Sequence, residues 1–222
     1  MISASSPTTA PFSAEIPGNE WNTLPPPASN DAQDIAWMEA IKRGGDEAMA
    51  AFEALVEAHH VRVINLVAKM LGGDATEAED IAQQVFIRVW NSASRYEPGA
   101  KFTTWLYTIV RNLVFNECRR RRRHPLVSLE REESQPVLNL PDFREKSPDK
   151  SLLDEEMYAA IEKAIAALPE MQRMAIVLRR YQDVSYEEIA KILDVSVPSV
   201  KSLLFRARTE LRARLKHYLE GV

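Results

Sequence analysis

Ser185-Tyr-Glu-Glu-Ile-Ala-Lys-Ile-Leu193, then Asp194-Val-Ser-Val197, then Pro198-Ser-Val-Lys-Ser-Leu-Leu-Phe-Arg-Ala-Arg208, is the stretch that decides the fold. Ser185 can cap a helix while Glu188 reaches back to it, the reciprocal pattern of a capping box. Ile189, Ala190 and Leu193 fall on one inner face, and Asp194 to Val197 form a short connector. A longer helix runs from about Pro198 with Ser196 as its N-cap. Proline is tolerated in a first turn, where the N–H it lacks would have no helical partner. Val200, Leu204, Ala207 and Leu211 make one apolar stripe. Ser199, Lys201, Ser202, Phe205 and Arg206 lie outside it, followed by Arg208, Arg212, Arg214 and Lys216. A packed back with a basic, hydroxyl-bearing front is what reading a DNA major groove requires. Arg and Lys suit guanine edges and phosphates, and Ser suits either phosphates or bases. A helical hairpin with a solvated basic face fits the same segment.

Outward from this helix-turn-helix, the helical period extends from Ser151 to Leu219. Before it, Pro125 to about Lys150 is polar and contains Pro125, Pro136, Pro141 and Pro148, the composition of a linker. Asp34 to His124 is helical again, punctuated by Gly44-Gly45, Gly72-Gly73 and Pro98-Gly99, with no sustained period-two alternation. Met1 to Asn30 is rich in Pro, Ser, Thr and Ala and reads as a disordered tail. The expected architecture is all-α: two helical domains joined by a flexible linker, the second containing the helix-turn-helix. The expected boundaries are a tail over 1–33, a first domain over 34–124, a linker over 125–151 and a second domain over 152–222.

The length of 222 residues with 45% hydrophobic content suits one or two compact domains. A net charge of −4 says nothing for nucleic acid, but the charges are segregated along the chain. Cys118 is the single cysteine, which excludes an intrachain disulfide and suits a reducing cytoplasm. No apolar run approaches the roughly 20 residues of a membrane helix, and the N-terminus lacks the plan of a signal peptide. A cytoplasmic chain with no membrane partner is expected. There is no phosphate-binding Gly-rich loop, no His-Glu-x-x-His and no cysteine pair, so no enzymatic activity, metal or cofactor is expected. His59 and His60 point to different sides of a helix and read as surface or partly buried side chains. Cys118 lies near arginines, which allows a lowered pKa and a redox role, but a bystander thiol is the preferred reading.

In the first domain a helix from about Thr76 to Asn91 turns Ile81, Ala82, Val85 and Val89 inward. Asp80, Gln83 and Gln84 cluster on the other side, as acceptors for a partner or as an ordinary solvated face. The next helix, about Phe102 to Arg121, has Leu106, Ile109, Val110 and Leu113 as its core stripe. Lys101, Trp105, Thr108, Asn112 and Arg119 share another face. A Trp beside basic and amide groups can stack an unpaired base, a contact worth about 1–3 kcal/mol; a Trp packed into a second core contact fits the same spacing. Arg119 to Arg123 is a run of five arginines. It suits a polyanionic partner, with roughly 0.9 added to the duplex salt slope per phosphate neutralised, or else a basic linker.

Jointly these residues resemble the sigma factors of bacterial RNA polymerase, in particular the extracytoplasmic-function class. The resemblance is carried by Ala78-Glu-Asp-Ile-Ala-Gln-Gln-Val-Phe-Ile-Arg-Val-Trp90 and Phe102-Thr-Thr-Trp-Leu-Tyr-Thr-Ile-Val-Arg-Asn112 in the first half. In the second it is carried by Leu168-Pro169, Ser185-Tyr-Glu-Glu-Ile-Ala190, Val200-Lys-Ser202 and Phe205-Arg-Ala-Arg208. It covers about Asp34 to Leu219. It implies that the first half corresponds to sigma domain two, with Asp80, Gln83 and Gln84 docking on the β′ clamp helices of core polymerase. Asn112 matches a position that contacts a flipped base of the melted promoter element, with Trp105 and the loop from Arg95 to Lys101 beside it. The second half corresponds to sigma domain four, with Lys201, Ser202, Phe205 and Arg206 at recognition-helix positions. The implied partners are core polymerase through β′ and β, promoter DNA in double- and single-stranded form, and an anti-sigma protein. Three departures stand out: Gln84 where Glu is common, Pro198 where Gly is common, and Leu203 where Arg is common. The linker's Glu130, Glu132 and Glu133 are expected to mimic nucleic acid along the polymerase cleft. A stand-alone helix-turn-helix regulator would explain the second half only, and a decoy that captures a regulator of sigma factors would leave the arginines without a use.

Overall fold

The computed structural model describes residues 30–73, 75–123 and 152–219. Residues 1–29 of the expected tail and the whole of the expected linker over 125–151, with Glu130, Glu132 and Glu133, lie outside the described residues. Asn30 starts α1 (Asp31–Arg43): its side-chain oxygen accepts the Gln33 N–H at 3.0 Å. Residues 31–33, assigned to the tail from sequence, are therefore helical. Asp31 is already in use there, since its carboxylate accepts the Phe102 N–H at 2.7 Å. Gly44 and Gly45, at φ 72° and 84°, turn the chain through backbone that side chains disfavour and deliver it into α2 (Asp46–Leu71).

The axis of the first half is α2, 26 residues and about 39 Å long. Against it pack α1, α3 (Ala75–Ser92) and α4 (Phe102–Arg123), with a short 3-10 turn, Ala93–Arg95, between the last two. Leu55, Val63, Leu66, Val67 and Met70 of α2 are buried, each worth about 1.5–3 kcal/mol relative to exposure. The same inner row contains His59. It is fully buried, not the surface or partly buried side chain expected, because it stands four residues from both Leu55 and Val63. Its Nε2 meets the buried Asp34 carboxylate of α1 at 2.8 Å, and the Phe102 ring lies 5.2 Å from the imidazole. His60 faces away, half-buried near Phe86.

The second half comprises α5 (Leu152–Ala166), α6 (Glu170–Tyr181), α7 (Tyr186–Leu193), α8 (Val197–Arg214) and α9 (Lys216–Leu219). The capping box is complete. Ser185 Oγ accepts the Glu188 N–H at 3.2 Å, and Glu188 Oε2 accepts the Ser185 N–H at 3.1 Å. Asp194, at φ 56°, ends α7 in the left-handed conformation. Ser196 caps α8, which opens at Val197, so the connector is one residue shorter than expected and Pro198 sits in the first turn. Ile189, Ile192, Val200, Leu204 and Ala207 close a small core with Met174, Val177 and Leu178 of α6.

The two halves pack on each other: α6 and α5 lie on α2, and α7 lies on α4. The seam is polar as well as apolar. The buried Gln182, just past α6, accepts from the Tyr107 hydroxyl at 2.9 Å and from Arg62 Nη1 at 3.4 Å. Its own amide donates to the Arg62 carbonyl at 3.4 Å. Arg173 donates to the Met70 carbonyl at 2.5 Å and the Leu168 carbonyl at 3.0 Å. Ion pairs flank it: Lys69–Glu162 at 2.6 Å, Lys101–Glu188 at 2.8 Å and Arg122–Glu170 at 3.0 Å. The structure is all-helical among the described residues, as the sequence indicates; this seam is not legible in the sequence.

Candidate nucleic-acid interface

The face of α8 opposite the core is open. Ser199, Lys201, Ser202, Phe205 and Arg206 are all exposed, and Phe205 is 70% exposed. The row Val200, Leu204 and Ala207 anchors the helix from behind, which leaves an aromatic ring held out to solvent between a lysine and an arginine. Arg206 Nε donates to the Ser202 carbonyl at 3.3 Å, and Ser202 Oγ donates to the Pro198 carbonyl at 3.1 Å. These contacts set side-chain direction along the helix and use one of the five donors of the guanidinium. Leu203, at the position where Arg is common, is half-buried against the core.

Asp80, Gln83 and Gln84 are exposed together on α3, and Ile81, Ala82, Val85 and Val89 are buried, as the periodicity requires. Two further side chains join this surface that the sequence reading passed over. Ile87 is 58% exposed, and Trp90 lies partly open with its ring edge-on to Phe52 at 5.0 Å. Ile87 is one turn beyond Gln83 and Gln84, so an apolar residue in the register of a polar stripe was the available signal.

The α4 face is more enclosed. Asn112 is exposed, and its carboxamide oxygen accepts from Arg111 Nη2 at 2.6 Å. Trp105 is half-buried: its ring packs against Tyr96 at 5.1 Å and Phe102 at 5.8 Å, so one face of it serves the core edge. Thr108 donates to the Thr104 carbonyl at 2.8 Å. Lys101 precedes the helix, and its ammonium is held by Glu188 of α7. That hydrogen bond is the main cause pushing the Lys101 pKa up. Burial alone would raise Glu188, but the bonds from Lys101 and Ser185 overcome it and hold the carboxyl below its ordinary value. Tyr107, not among the core positions expected for α4, is buried and its phenol is pushed up to about 12, chiefly by desolvation.

The arginine run divides. Arg120, Arg121 and Arg122 engage Glu117, Glu77 and Glu170, and only Arg119 and Arg123 make no ion pair with a described residue. Cys118, whose neighbouring arginines allow a lowered pKa by sequence, is half-buried, and burial pushes its pKa up, with Glu170 adding to the rise against Arg173 and Arg122. No group of three His, Cys, Asp or Glu side chains could hold a metal among the described residues, and none of their helices is long and apolar enough to cross a membrane.

A helix-turn-helix with an open basic recognition face defines the chain as a DNA-binding protein of the helical class. Comparison with known proteins narrows this. Residues 55–124 match the Sigma-70 region 2 family and residues 158–211 match Sigma-70, region 4. The chain is 32% identical over 191 residues to the RNA polymerase sigma-H factor of Pseudomonas aeruginosa, covering 84% of this chain and 96% of that one. It is 32% identical over 182 residues to the ECF RNA polymerase sigma-E factor of Escherichia coli K12, covering 81% and 93%. Among solved structures it resembles the sigma factor RpoE in complex with the anti-sigma factor NepR from Bartonella quintana. That match has 25% identity and a TM-score of 0.58, over 74% of this chain and 96% of that one. The chain belongs to the sigma-70 family of RNA polymerase sigma factors, in its extracytoplasmic-function class, and so directs polymerase to promoters for transcription initiation.

Proposed function

We propose that the sigma activity is divided among three surfaces of this chain. The half ending near residue 124 acts as sigma domain two, the half from residue 152 as sigma domain four, and residues 125–151 as the linker between them. Asp80, Gln83 and Gln84, with Ile87 at their edge, dock on the β′ clamp helices of core polymerase. Lys101, Trp105, Thr108, Asn112 and Arg119 receive the melted strand. Asn112 holds an unstacked base by its edge, and binding of the strand offsets the cost of opening it. Ser199, Lys201, Ser202, Phe205 and Arg206 read the upstream duplex in its major groove. The observation that carries this reading is the α8 face: a ring and two cations held out to solvent on a helix whose back is packed.

The enclosed state of the α4 face adds a step. Lys101 is paired with Glu188, so a captured strand competes with α7 for that ammonium. The chain works in the cytoplasm, by binding alone and without covalent chemistry. The RpoE structure contains an anti-sigma factor, and an anti-sigma protein is the regulator inferred for this chain.

The test is transcription in vitro from a genomic fragment library with the purified chain and core polymerase, sequencing transcript starts. Starts that need the chain and share a two-part upstream motif are expected. Specific nanomolar binding to DNA without polymerase, together with no binding to core, would make the chain a stand-alone regulator instead.

A further inference from the structure

Three of the five arginines that end α4 are spent on the fold. Arg120 is gripped by Glu117 through Nε at 2.7 Å and Nη2 at 2.8 Å. Arg121 pairs with the buried Glu77 and donates to the Leu71 carbonyl at 3.0 Å. Arg122 reaches across the seam to Glu170. Arg120 and Arg121 thus share Glu77 and Glu117, and Arg122 has Glu170. Arg119 and Arg123 are exposed, one helical turn apart, and make no ion pair with a described residue. With Asn116 and the wall formed by Arg120, they line an open cavity of about 260 Å³.

The cavity is not isolated. Asn112, Asn116, Arg119 and Arg123 follow at steps of four, three and four residues, so they share one helix face. Its centre near Arg119 lies seven residues beyond Asn112, about 10 Å along the axis. One strand of duplex DNA advances about 3.4 Å per nucleotide, so this offset spans about three nucleotides. Glu117 beside the cavity is neutralised by Arg120, and the helix carbonyl end is outweighed by two unanswered guanidiniums. Two planar forks and an amide around one open space match the oxygens of a phosphate.

We propose that this cavity seats one backbone phosphate of promoter DNA, clasped by Arg119 and Arg123 and bonded by the Asn116 amide, about three nucleotides from the base at Asn112. The proposal rests on the reading of the α4 face as the strand-capture surface. It assigns Asn116 and Arg123 to that surface, keeps Arg120 only as a wall held by Glu117, and removes Arg121 and Arg122 from it.

The test uses holoenzyme assembled from the full chain and core polymerase, on a promoter taken from the start mapping. Single methylphosphonate linkages, which carry no charge, are walked through the region around the melted element. One linkage within about two to five nucleotides of the Asn112 base should weaken binding by about tenfold, the scale of a hydrogen bond to a charged group. Arg119→Gln with Arg123→Gln should weaken binding of the unmodified DNA similarly and become indifferent to that linkage. Arg119→Lys with Arg123→Lys, which keeps the charge, should remain sensitive, and so should Arg122→Gln, whose side chain is outside the cavity. A glutamine pair that stays as sensitive as the parent at every position overturns the seat. Permanganate footprinting of Asn112→Ala separates the two ideas. Impaired opening with no phosphate coupling leaves strand capture standing without the seat, and coupling with normal opening leaves the seat standing without base capture.

Discussion

Two helices of this chain carry aromatic side chains beside cations, and they are held in opposite ways. On α8, Phe205 stands out in solvent and its neighbours bond only along their own helix. On α4, Trp105 leans on Tyr96 and Phe102, and Lys101 is held by Glu188 from the other half. The difference follows from position. α8 lies at the rim of the second half and buries one side, while α4 is wedged against α2, α3 and α7. A surface that reads formed duplex can be displayed ready-made. On the proposed division of roles, the surface for separated strands is kept engaged with the protein itself, through the Lys101–Glu188 pair of the seam.

The largest expected effect that tests this contrast is on stability. Trp105→Ala should cost about 3 kcal/mol, the low end for removing an aromatic from a core, because the ring is half-buried. Phe205→Ala should fall within about 0.5 kcal/mol of the parent. Denaturant melts of the full chain measure both; equal losses would erase the distinction between the two rings.

Next in size is function. Arg206→Ala should weaken upstream duplex recognition by about 1–3 kcal/mol and leave the opening step alone. Asn112→Ala should do the reverse, impairing permanganate-detected opening while holoenzyme assembly and duplex recognition persist. If both variants failed at the same step, the division of labour between α8 and α4 would be lost.

The seam itself is tested by Tyr107→Phe. It removes the hydroxyl donor from the buried Gln182 and should destabilise the chain by about 1 kcal/mol, within the range for a neutral hydrogen bond. The loss should be read by a probe in the second half as well as the first. A loss confined to the first half would mean that the halves do not melt together.

The smallest effect concerns Lys101. Glu188→Gln keeps a residue able to complete the capping box but releases the ammonium. A pair of which one member is largely exposed is worth only about 0.2–1 kcal/mol. The Glu188 carboxyl is held below its ordinary value, so its contribution is complete above the ordinary glutamate pKa of about 4.3 and is lost as pH falls through the depressed one. Melting curves of parent and Glu188→Gln should therefore differ near neutral pH and converge in strong acid. Affinity for forked DNA should rise a few-fold in the variant, and a fall would mean that the pair does not compete with the strand.

Much of this was open to the sequence reader. The capping box at Ser185, the proline in the first turn of α8 and the apolar stripes of α3 and α8 involve residues three or four apart, and their geometry is that of one helix. Exposure of Asp80, Gln83, Gln84 and of the α8 front followed from the same periods. Extending the α4 face by two steps would have reached Asn116 and Arg123. The burial of His59 was not legible in the same way, since its partner Asp34 comes from another helix. Nor was the raised pKa of Cys118, which comes chiefly from burial, with Glu170 and Arg173 of α6 acting on the thiol as well.

The sequence by itself determined that the chain is helical, which residues share a face, and the family to which the chain belongs, because caps and helical periods act within a turn; the starts of α1 at Asp31 and of α8 at Val197 came from the structure. Tertiary structure alone decided which faces are occupied. The bonds from Lys101 to Glu188, Tyr107 to Gln182 and Arg122 to Glu170 join residues far apart in the chain, and no local pattern announces them. They form only where helices from the two halves come within hydrogen-bond reach, and that proximity commits Arg122 to the fold, while Arg120 and Arg121 are held inside the first half by Glu117 and Glu77.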